Sequence, residues 1–122
     1  MSERPFAPRG PGELAVALEG LREELRKIDN QLQDAHEVAE QAEDRWVQHY
    51  DEILDQLEEE AAGARLPGEE QRLSIARRRG GGEAWTNHRH AERLVRRLEK
   101  RATMVRDRIG SAQSEAKLQG IA

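Results

Sequence analysis

Four histidines, His36, His49, His88 and His90, are the side chains of this chain best suited to metal ligation or proton transfer near neutral pH. Cysteine is absent, so thiol catalysis, disulfides and zinc sites built on thiolates fall away. His88 and His90 stand two apart, which on a helix makes them diverge. His36 and Glu40 share a face at four-residue spacing and could chelate, yet a polar residue flanking a helix seam accounts for His36 more simply. No His-Glu-x-x-His motif occurs. Glu58, Glu59 and Glu60 are carboxylates without an apolar pocket to tune them for acid–base work. Gly80, Gly81 and Gly82 lack the lysine and hydroxyl residue of one phosphate-binding loop and the spaced glycines of the other. The expectation is therefore a non-enzyme with no catalytic residues, no metal site and no cofactor.

Arginine is the chemistry that remains. Arg77, Arg78 and Arg79 precede the three glycines, and Arg89, Arg93, Arg96, Arg97 and Lys100 follow. The net charge of −4 hides a division, since residues 1–62 carry −11 and residues 63–122 carry +7. Acidic and basic halves of this kind pair with each other in a folded chain, or one of them meets an outside partner. An arginine stripe can neutralise nucleic-acid phosphates, which makes nucleic acid the alternative partner to protein. Against that stand the acidic total and the lack of a stacking platform around Trp85.

The elements that position these groups are helices. From Leu14 the apolar residues fall at Leu14, Leu18, Leu21, Leu25, Ile28, Leu32, Ala35, Ala39, Ala42 and Trp46, alternating steps of four and three. A further step of four to Tyr50, then Ile53 and Leu57, inserts a stutter. A second seam runs through Ala84, His88, Ala91, Val95, Leu98, Ala102, Val105, Ile109, Ala112 and Ala116. The spacing predicts helices over about 13–62 and 83–117, a reversal within 63–82 that holds a short helix at about 69–79, and tails at 1–12 and 119–122. Proline and glycine make the first tail flexible on this reading.

The expected fold is an all-α antiparallel helical hairpin of two long helices, forming a single domain over 13–118. Laid back from residue 83, the second helix reaches only to about residue 27. Leu14, Leu18, Leu21, Leu25, Ile28 and Leu32 then form a candidate dimer seam, the first four of them without an internal partner. Trp46, Tyr50, Leu57 and Trp85 are expected to pack at the hairpin tip, with Trp85 near Leu57. His88 falls on the seam, half-buried and bonded to an acid of the first helix. Arg89, Arg93, Arg96, Arg97 and Lys100 look outward, whereas Arg101, Arg106 and Arg108 flank the seam and can reach acids of the first helix. No apolar run is long enough to cross a membrane, and no signal peptide is evident, so a cytoplasmic homodimer is expected.

An acidic, alanine-rich helix carrying Trp46 and Tyr50 is followed by Leu66-Pro67-Gly68-Glu69-Glu70 and a basic helix that ends in Ser111-Ala112-Gln113-Ser114 and Leu118. Over roughly residues 30–118 this layout resembles small coiled-coil proteins of tailed bacteriophages and prophages of actinobacteria, most of which have no assigned function. Arg77 to Gly82 is not part of that pattern. The resemblance implies a phage-encoded interaction or assembly protein, acting through the leucine seam and the basic face. Its alternative is an accessory nucleic-acid binder in phage replication or recombination.

Overall fold

Residues 10–120 are described by a computed structural model, and among them there is no strand. Three helices follow in order: α1 (Pro11–Ala61), α2 (Glu69–Ala76) and α3 (Gly82–Leu118), with an irregular turn, Arg77–Gly81, between the last two. The fold class is an all-α antiparallel helical hairpin. α1 begins on a proline, which suits the first helical position because no donor is needed there. The rest of the expected N-terminal tail, residues 1–9, lies outside the described residues, as do 121–122. The chain divides into two compact units, each drawing on both arms.

The first unit combines the chain up to Leu32 with the chain from Arg97 onward. Leu14 packs against Ala112 and Ala116, with Leu18 and Leu21 at the edge of that contact. Ile28 sits against Ala102 and Val105, surrounded by Leu21, Leu25, Leu32 and Ile109. Leu14 and Ile28 are each only 1% exposed. Long side chains of α1 thus enter the space left by alanines of α3, as knobs enter holes across a helix seam. The expectation that Leu14, Leu18, Leu21 and Leu25 lack an internal partner does not hold. Arg106 Nη2 also reaches Asp29 Oδ1 at 3.4 Å, an exposed pair across the two helices.

The second unit, Gln33–Arg96, explains why the register differs from the simple hairpin. α1 is stopped by two left-handed residues, Ala62 (φ 49°) and Gly63 (φ 87°). The chain then returns along α1 through Leu66 and α2, so that Leu66, Leu73, Ile75 and Ala76 cover Ile53 and Leu57. α3 therefore starts opposite Trp46 and His49. Trp85 meets Trp46 edge-to-face at 4.9 Å between ring centroids, a favoured aromatic geometry. Starting there instead of over Leu57 is what lets α3 reach Leu14. Trp46, Tyr50, Leu57 and Trp85 nevertheless belong to one apolar cluster.

Candidate interaction site

The three glycines build the corner between α2 and α3. Arg79 (φ −88°, ψ 52°) and Gly80 (φ 85°, ψ 4°) leave helical angles, and Gly80 occupies the left-handed region that glycine enters at little cost. Gly81 is needed for space. A Cβ there would lie 2.4 Å from the Ala76 carbonyl oxygen and 2.5 Å from His49 Cδ2. His49 is close because its Nε2–H donates to that same carbonyl at 2.9 Å. The bond ties the corner to α1 and fixes the proton on Nε2 in the neutral ring.

Two arginines complete the attachment. Arg72 donates from Nε to the Tyr50 hydroxyl at 3.2 Å and from Nη1 to the Pro67 carbonyl at 3.3 Å. Arg79 forms a forked pair with Glu60, at 2.8 and 3.1 Å. The hydrogen bond from Arg79 holds the Glu60 carboxyl below its ordinary pKa, and the adjacent positive charge adds to the effect. Arg77 and Arg89 lie over Trp85, with guanidinium carbons 5.2 and 5.7 Å from its ring centroid. Arg78 Nε donates to the Ser74 carbonyl, at 3.4 Å.

His88 does lie half-buried on the seam, but its acid comes from its own helix. Nε2 meets Glu92 Oε1 at 2.7 Å, and Glu92 is also bonded to Arg96 at 3.3 Å. The i, i+4 spacing brings Glu92 over the ring, whereas the facing seam of α1 offers alanines. His88 Nδ1 is buried without a hydrogen-bond partner. Among the described residues no three His, Asp or Glu side chains gather where a metal could be held.

The basic face is thus divided. Arg77 and Arg89 stack on Trp85, Arg79 pairs with Glu60 and Arg96 with Glu92, while Arg93, Arg97 and Lys100 project from the surface. Arg72 and His49, which fasten the corner, carry no local signal in the sequence because their partners lie 22 and 27 residues away.

A second feature of this unit escapes the seam pattern. Alanines line the middle of α1 and the start of α3, and a groove of about 350 Å³ remains between them, floored by Ala42, Ala84 and Ala91. Val38 stands on the α1 rim and Leu94 on the α3 rim, 56% and 42% exposed. Arg45 and His90 add polar groups to the lining. Each rim residue immediately precedes a seam residue, Ala39 or Val95, and an apolar side chain at that flanking position was the available signal. The candidate dimer leucines, by contrast, pack within the first unit. No protein-family model, curated protein or solved structure matches this chain.

Proposed function

We propose that the protein is a non-enzymatic interaction or assembly protein that docks a helical protein partner on the alanine-floored groove of the second unit. One observation carries this reading. Val38 and Leu94, from opposite helices, keep roughly half their surface in water beside a floor of alanines. Apolar rims around a shallow, small-residue floor suit the ridge of another helix, because alanine permits close backbone approach. The leucine seam is occupied within the chain, which moves the docking surface from Leu14–Leu32 to this groove. A cytoplasmic, phage-encoded setting follows from the coiled-coil resemblance and agrees with such a role.

Site-specific photo-crosslinking tests the proposal. A photoreactive side chain at position 38 or 94 is expected to give discrete protein adducts in cells, whereas one at the exposed Asp51 position gives none. Equal adduct yields at all three positions would remove the support for a docking groove. Nucleic acid is the weaker second reading, favoured only by Arg93, Arg97 and Lys100, since several of the other arginines are engaged by Trp85, Glu60 and Glu92. It requires oligonucleotide binding at about 50 mM salt that weakens steeply as salt rises.

A further inference from the structure

We infer that the occupant of the groove is an acidic amphipathic helix of another protein, seated with its apolar ridge on the alanines and its carboxylates against Arg45 and His90. The inference rests on the docking reading above and adds the chemistry of the partner. In the antiparallel register set by the Trp46–Trp85 contact, the lining of the groove falls into facing pairs. Val38 stands opposite Leu94, Gln41 opposite His90, and Arg45 opposite Asn87. One end of the groove is therefore apolar and the other polar, and the distance along α1 from Val38 to Arg45 is roughly 10 Å, two helical turns. No carboxylate lines it.

That lack stands out, because over residues 33–61 α1 carries eleven Asp or Glu against the single Arg45. The one arginine of this acidic stretch lies in the groove. Positions three and four away from Arg45 hold Gln41, Ala42, Gln48 and His49, and those around His90 hold Thr86, Asn87, Arg93 and Leu94. Neither residue therefore has a carboxylate at a pairing position on its own helix. Both are exposed, and among the described residues neither side chain makes a hydrogen bond or an ion pair. Arg72, Arg79 and Arg96 of the same unit are, by contrast, all bonded. An open guanidinium on one rim and an imidazole on the other are matched by carboxylates flanking an apolar ridge. A nucleic-acid strand supplies anions but no such ridge for Val38 and Leu94. A second copy laid groove to groove brings Arg45 and His90 again and no carboxylate.

Fluorescence anisotropy with the full chain tests this, using helical peptides of about 20 residues that share a leucine stripe and carry glutamate, glutamine or lysine on both its flanks. The glutamate peptide is expected to bind at least about tenfold more tightly than the other two. Arg45→Glu should abolish that preference, while Arg93→Glu, at a residue outside the groove lining, keeps it. Val38→Asn should weaken all three peptides, with circular dichroism confirming that each variant keeps its helix content. Equal binding of the three peptides, or a glutamate preference that survives Arg45→Glu, would overturn the inference. So would an oligonucleotide that competes equally well for the groove, or adducts from positions 38 and 94 that join two copies of the chain. If the peptides are not discriminated while those positions still give adducts with a different protein, the docking reading survives without the acidic partner. If there are no adducts either, both fall.

Discussion

Gly81→Ala is the sharpest probe of how the corner is held. In an ordinary helix the change would stabilise by about 1 kcal/mol, through the better helix propensity of alanine. Here the added methyl would stand 2.4 Å from the Ala76 oxygen and 2.5 and 2.7 Å from two atoms of the His49 ring. A non-bonded carbon and oxygen come no nearer than about 3.3 Å, so backbone or ring must move by several tenths of an ångström or more. Overpacking of this kind costs about 1–3 kcal/mol. Displacing His49 also breaks its bond to Ala76, a hydrogen bond worth about 0.5–1.5 kcal/mol. Less the propensity gain, the net is about 2 kcal/mol of lost stability, or roughly 7 °C in melting temperature for a chain of this size.

Gly82→Ala is the internal control, because its nearest neighbour is the Arg77 oxygen at an ordinary 3.6 Å. Thermal unfolding followed by circular dichroism should lower the midpoint for Gly81→Ala and leave Gly82→Ala at or slightly above the parent. In a His49→Ala background two of the three close contacts disappear, so the penalty of Gly81→Ala should shrink. A Gly81→Ala protein that melts at or above the parent, or a penalty unchanged without His49, would refute the account of the corner.

Leu14→Ala should cost about 2–4 kcal/mol in chemical denaturation, because Leu14 is buried against Ala112 and Ala116; a neutral effect would mean that the leucine lacks an internal partner. Gly110→Ala, with nothing within 4 Å of the new methyl, should raise stability by about 1 kcal/mol in the same assay. His88→Leu should also stabilise, by about 1 kcal/mol, since it removes a buried ring nitrogen that has no partner and leaves Glu92 paired with Arg96. The Glu60 carboxyl is lowered by Arg79, so its contribution is present above the unfolded-state pKa and is lost as pH falls through the lower folded-state value. Carboxyl NMR should find the Glu60 titration moving up in Arg79→Gln, and an unmoved titration would count against the pair.

Both seams could be read from the sequence alone. Every residue of the α3 seam from Ala91 to Ala116 is buried apart from the half-buried Ile109, because a period of four and three depends only on local helix geometry. For the same reason the three breakers, Gly63, Pro67 and the glycine triplet, reveal where helices stop. The sequence also exposes the opposed charges of the two arms. What it could not supply was register. Only the folded chain decides that Leu66 and α2 cover the end of α1, that His49 takes the Ala76 carbonyl, and that α3 consequently begins opposite Trp46. The His49–Ala76 and Trp46–Trp85 contacts join residues 27 and 39 positions apart and leave no periodic trace. The groove follows from the same placement, since alanines that look like an ordinary thin seam become a docking floor once Val38 and Leu94 stand on its two rims. Local geometry fixes which face of a helix is buried, whereas the packing of distant segments determines against what.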